Sequence, residues 1–183
     1  MEQDIRFCEV GGRRVAYASV GEGPLLLFAA RWVSHLEEEW EDPASRRFFE
    51  ELAATYRVVR YDRLGAGLSD RALDAPPTTE SEARTLAAVL DASGERSAAI
   101  FSCSCAGLAT ARFAAAAPER VERIVFFGGY VSRRDVPAAT RSSLVELTRA
   151  SWPLAAQMFA GLLAPRASGD EIAAMSRHLR RSA

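Results

Sequence analysis

Hydroxyls and thiols crowd one short stretch of the chain, Ile100-Phe101-Ser102-Cys103-Ser104-Cys105-Ala106-Gly107. An apolar strand-like run passes there directly into a helix-like one through six small residues. A bend that sharp needs small side chains two places before and two places after its apex, because larger ones would strike the neighbouring strand and helix. With Ser104 at the apex those places hold Ser102 and Ala106; with Cys105 they hold Cys103 and Gly107; with Cys103 one of them would be bulky Phe101. Such a bend lifts its apex side chain above the sheet at the N-terminus of the next helix. There the helix dipole and free backbone N–H groups favour a developing negative charge, and the Cys105 N–H would be one donor. The pattern has the form of a G-x-S-x-G nucleophile elbow with both glycines replaced by slightly larger residues. On the octamer alone, a plain strand-to-helix turn that contains a serine fits equally well.

The rest of the composition narrows the chemistry. Among 183 residues there is no lysine, so no Schiff base and no lysine general base can form, and every basic side chain but the two histidines is an arginine. His35 and His178 stand far apart with no Cys/His cluster, which gives no metal site, and nothing implies a cofactor. A net charge of −1, with no basic stripe, argues against nucleic acid as a partner. Gly21-Glu22-Gly23 precedes a strand rather than a helix, and Gly65-Ala66-Gly67 lacks a following Lys-Ser/Thr, so neither is a nucleotide-binding loop. The N-terminus lacks the basic-then-apolar order of a signal peptide, and apolar runs such as Leu25–Ala30 are too short to cross a bilayer. Three cysteines, Cys8, Cys103 and Cys105, show no disulfide spacing, and a reducing cytoplasm is the expected compartment.

The elements that must position the octamer alternate in period. Residues 5–10 and 14–20 flank Gly11-Gly12 as a hairpin. Residues 25–30 form a continuous apolar run, the mark of a strand covered on both faces. A polar loop is expected over 31–41, then a helix opened by Asp42-Pro43. Strands follow at 57–61, 97–102 and 121–127, the last two read as buried. A helix capped by Thr79-Glu80-Ser81-Glu82 and ended by Gly94 lies between the first two, and another spans 106–117. Strands alternating with helices predict a mostly parallel sheet of about six strands with helices on both faces. Beyond residue 131 the composition turns helical, broken at Pro165–Gly169, with Ser168-Gly169-Asp170-Glu171 able to cap a last helix.

Taken together, Tyr61-Asp62-Arg63-Leu64-Gly65-Ala66-Gly67-Leu68-Ser69-Asp70, the octamer, and Ala117-Pro118-Glu119-Arg120-Val121 resemble the α/β-hydrolase superfamily over nearly the whole chain. Trp32-Val33-Ser34-His35-Leu36-Glu37 followed by Trp40-Glu41-Asp42-Pro43 is similar to a bacterial branch whose hydrolase-like domains also occur fused to adenylate cyclases or helix-turn-helix regulators. The family's Pro-Glu-Arg-Val segment lies fourteen places after its nucleophile, so the resemblance selects Ser104 over both cysteines. It implies a partial α/β-hydrolase fold, with a core over residues 1–131 and a helical cap over 132–183. It implies an esterase-like serine hydrolase acting on a small-molecule substrate, with the backbone N–H groups of Trp32 and Cys105 as oxyanion donors. Where the family has His-Gly or Pro-Gly before the first donor, this chain has Ala30-Arg31.

The family order of Ser, acid, then His is not met, since His178 alone follows Ser104 and belongs by resemblance to a cap helix. Asp170 stands eight places before it, about 12 Å along a continuous helix and out of hydrogen-bonding reach. The chain is accordingly expected to be truncated at its C-terminal side. An uncovered sheet edge would then promote homo-oligomers. His35 and Trp152 are the candidate substrate contacts, while Asp62 and Asp70 are expected to fix their loop by local hydrogen bonds. The rival reading is a degenerate hydrolase domain that senses a small ligand or docks a partner.

Overall fold

A computed structural model describes residues 1–132 and 138–182. The chain divides into two compact units, Met1–Val131 and Ser132–Ala183. The first holds six strands, β1 Asp4–Val10, β2 Arg13–Val20, β3 Leu25–Ala29, β4 Arg57–Tyr61, β5 Ala98–Cys103 and β6 Val121–Phe127. Its helices are α1 Leu36–Glu41, α2 Pro43–Ala53, α3 Thr79–Ala92 and α4 Ala106–Ala116, with a single 3-10 turn at Pro118–Arg120. The second unit is helical, with α5 Ala138–Ala150, α6 Trp152–Leu163 and α7 Gly169–Ser182.

The strands form one sheet in the order β1-β2-β4-β3-β5-β6. The hairpin strands pair antiparallel with each other, β2 also pairs antiparallel with β4, and the remaining ladders are parallel. Alternation along β3 explains its unbroken apolar run. Leu25, Leu27 and Ala29 pack with Leu86, Leu90 and Phe113 of α3 and α4, while Leu26 and Phe28 pack with Phe49 and Ala53 of α2. Both sheet faces are therefore covered by helices, and every β3 side chain is buried. No helix among the described residues is long and apolar enough to cross a membrane.

Three expectations need correction. The polar stretch 31–41 is not all loop, because α1 forms within it. The Nδ1 of His35 accepts the Glu38 N–H at 3.4 Å, Glu37 to Glu39 complement the helix dipole, and Leu36 is buried. Second, α3 is capped one residue earlier than Thr79. Thr78 is the last extended residue after Pro76-Pro77; its hydroxyl accepts the Ser81 N–H at 3.1 Å, and the Ser81 hydroxyl accepts the Thr78 N–H at 2.8 Å. Third, β6 is not buried. Among the described residues it pairs only with β5 and forms the rim of the sheet, leaving Val125, Phe126 and Phe127 exposed at 47%, 46% and 66%. The cap expected at Ser168 does form: Ser168 donates its N–H to Glu171 at 2.7 Å and its hydroxyl accepts the Glu171 N–H at 3.3 Å.

The cap register can be measured. Thr78→Ala should cost about 1 kcal/mol and lower the melting temperature by roughly 2–4 °C. Thr79→Ala should stay within about 0.5 kcal/mol of the parent. Equal losses in thermal melts of the two variants would place the cap wrongly.

Candidate active site

The turn between β5 and α4 is left-handed at one residue. Ser104 has φ +54° and is the only non-glycine residue at positive φ among the described residues. That conformation costs an L-residue about 1–3 kcal/mol and persists only where the surroundings enforce it. Here they do. Ser104 donates its N–H to the Phe127 carbonyl at 3.3 Å, and its own carbonyl accepts from Gly107 at 3.2 Å and Tyr130 at 3.4 Å. Ser104 is half-buried at the end of β5.

The missing elbow glycines are accommodated individually. Ser102 is fully buried, and its hydroxyl accepts a hydrogen bond from Thr110 of α4 at 2.9 Å, so the added oxygen is satisfied. Ala106 is buried at the first turn of α4. At Gly107, any Cβ would collide with the carbonyl of Tyr130, so the close approach of helix and loop occurs at this residue. The two rival apexes lie elsewhere in the bend. Cys103 ends β5 against the Phe28–Phe49 cluster, and Cys105 already has right-handed helical backbone, φ −67° and ψ −16°. Burial pushes the Cys105 thiol up, against the pull of Arg63 and of the Trp32 N–H. The thiol is therefore held protonated and is a poor nucleophile at neutral pH.

Trp32 follows β3, whose Ala29 is level with Ser102 of β5 in the parallel ladder. The Trp32 N–H lies near enough to the Cys105 thiol to favour its thiolate, and the Trp32 carbonyl accepts from Arg63 Nη1 at 3.3 Å. Arg63 is held in turn by Glu82 of α3 at 2.8 Å. The structure thus brings Trp32, Cys105 and Ser104 together.

A second ion-pair group lies one residue upstream. Arg31 binds Glu39 at 2.6 Å, and the other oxygen of Glu39 binds Arg60 at 3.0 Å. Arg60 is almost fully buried, with its guanidinium 4.1 Å from the centre of the Phe49 ring, and burial pushes its pKa down. Sequence reasoning missed Arg60, Glu39, Arg63 and Glu82 as parts of the site. The one available signal was a charged residue inside the apolar strand Val58-Val59-Arg60-Tyr61.

The other candidates have these places. His35 caps α1, so its Nδ1 is engaged. Asp62 is fully buried, accepts from Leu68 at 2.9 Å and Leu36 at 3.2 Å, and has its pKa raised by burial. A Cβ at Gly67, which has φ +53°, would strike its carboxylate, so only glycine fits there. Asp70 accepts the Arg14 N–H at 2.8 Å. These bonds tie the loop after β4 to β2 and α1. Trp152 opens α6 after the Ser151 cap, and α7 runs unbroken through Asp170 and His178; all three residues belong to the second unit. The three cysteines are unpaired, and no group of three or more His, Cys, Asp or Glu side chains able to hold a metal occurs among the described residues.

A mostly parallel sheet flanked by helices on both faces, with a strained serine at the strand-to-helix turn, defines a hydrolase-type scaffold. The family model for the alpha/beta hydrolase fold matches residues 34–183, and the chain belongs to that family. It is similar to a Pseudomonas aeruginosa hydrolase of known structure, with 25% identity, a TM-score of 0.79, and coverage of 98% of this chain and 68% of the other. It is likewise similar to an esterase of Rhodococcus, RhEst1, with 25% identity, a TM-score of 0.74, and coverage of 97% and 68%. A protein of Azorhizobium caulinodans named for carbamate hydrolysis, RutD, is 38% identical over 81 residues. That match covers 44% of this chain and 30% of the relative's length.

Gly107→Ala should destabilise the fold by more than about 2 kcal/mol, since a backbone carbonyl must move to admit the methyl group. Chemical denaturation would measure it, and a neutral result would mean that the turn does not pack as described.

Proposed function

We propose that Ser104 is the nucleophile of an esterase-like serine hydrolase. The observation that carries this reading is the left-handed backbone of Ser104 at the head of α4. In the proposed reaction the Ser104 hydroxyl oxygen attacks an ester or related carbonyl, while a general base, a histidine in the resembled family, takes its proton and returns it to the leaving alcohol. The tetrahedral oxyanion accepts hydrogen bonds from the N–H groups of Cys105 and Trp32. Collapse expels the alcohol and leaves an acyl-enzyme, which water then hydrolyses. A thiol is a weak acceptor, so the contact with Cys105 keeps the Trp32 N–H aimed near the site at small cost when an oxyanion takes its place. The triad is incomplete in this reading: neither histidine stands where the family order requires it, and the helical second unit is the counterpart of the family's cap segment. The esterase and carbamate-hydrolase names of similar proteins support acyl chemistry, as does the family.

One observation favours a second reading, a ligand-sensing domain without turnover. The places two before and two after Ser104, which hold glycine in the family's elbow, are Ser102 and Ala106 here. A fluorophosphonate probe separates the two readings. Covalent labelling that disappears in Ser104→Ala is the expected result, and a properly folded chain that never labels would remove the enzyme reading.

The proposal extends to self-association through β6 in a small-molecule hydrolase of the cytoplasm. Among the described residues its outward edge pairs with no strand, and it exposes Val125, Phe126 and Phe127. Light scattering should find species larger than the monomer that grow with concentration, and Val125→Lys should reduce them. A monodisperse monomer at all concentrations would contradict this.

A further inference from the structure

Arg31 stands where the resembled family carries glycine, directly before the Trp32 amide. Parallel neighbours lie about 4.8 Å apart, and Ala29 is level with Ser102, so two further residues bring Arg31 out of the sheet level with Ser104. Its side chain is 38% exposed and makes its one hydrogen bond among the described residues through Nη2, to Glu39. The Nε and Nη1 donors are left over.

Glu39 cannot neutralise the cation fully, because it is shared. Its second oxygen serves Arg60, whose side chain is only 3% exposed. The two guanidiniums thus share the Glu39 carboxylate, while the buried Asp62 carboxylate acts on Arg60 as well. Arg60 is enclosed in the core over the Phe49 ring, so Arg31 is the member of the group that a solute can reach. Its field extends to the thiols of Cys103 and Cys105, on either side of Ser104. A half-buried guanidinium with free donors binds a carboxylate through charge-assisted hydrogen bonds.

We propose that Arg31 is a recognition residue for a carboxylate on the substrate or ligand of the Ser104 site, so that the substrate class is an ester or related acyl compound bearing a second, ionised carboxyl group. This rests on the reading of Ser104 as the site. The test uses the 183-residue chain with adipate and its neutral diamide, adipamide, at matched ionic strength. Binding is followed by thermal shift and by protection against fluorophosphonate labelling. Adipate should bind about tenfold more tightly than adipamide, a factor equal to roughly 1.4 kcal/mol. Arg31→Gly should erase the preference and Arg31→Lys should keep part of it. No preference in the parent chain, or a preference that survives in Arg31→Gly, overturns the proposal. If labelling fails while the adipate preference depends on Arg31, the hydrolase reading falls and the carboxylate site stands.

Discussion

The conformation of Ser104 is the constraint on which this chain's possible chemistry depends. A serine at φ +54° is held there by contacts from three directions, two of them from residues distant in sequence. The β6 carbonyl of Phe127 takes its N–H, the loop after β6 donates from Tyr130, and Gly107 lets α4 approach that loop. The Ser102–Thr110 hydrogen bond fastens the end of β5 to α4 from below. The bend therefore draws its shape from the packing of two strands and a helix, and it tolerates the loss of the glycines that usually make such a turn easy.

The loop that carries Trp32 is organised by charge. Arg63 and Glu82 hold its carbonyl, and Arg31, Glu39 and Arg60 anchor the residue before it. Burying Arg60 and Glu39 costs several kcal/mol of lost hydration per ion, and it is tolerated only with good geometry and further partners. Both are present: Gln3 accepts from Arg60 at 2.5 Å, and the Phe49 ring lies beneath the guanidinium. Such a group specifies position more than it adds stability. Removing Glu39 alone would leave two cations facing each other in a poorly solvated site.

The strands were legible because their apolar runs are long and bounded by turns. Arg57–Tyr61 and Val121–Phe127 coincide with the expected limits. Burial of Val121–Phe127 was not legible, since an apolar run looks the same at a sheet's centre and at its rim, and only topology distinguishes them. The cap at His35 was missed because a ring nitrogen is an unusual cap acceptor, and the cap at Thr78 because Ser81 replaces the usual Glu or Gln. Ser104 was legible through its small neighbours and its spacing to Pro118. The ion pairs around Trp32 were not. Arg63 and Glu82 are 19 positions apart, and Arg60 and Glu39 are 21 apart, so no local pattern announces them. Arg31 was visible as a departure from the family, but its partner was not.

The hydrogen bond from Ser104 to Phe127 joins the bend to the outermost strand of the sheet. Rim strands fray first, with opening free energies well below that of global unfolding. When β6 peels away at its C-terminal end, the bend loses the acceptor for its amide and the neighbour that restrains Gly107. Whatever clamps that rim, whether another strand or another molecule, would thus set how much of the time a competent serine exists. Solvent exchange at the Ser104 amide would track the rim rather than the core.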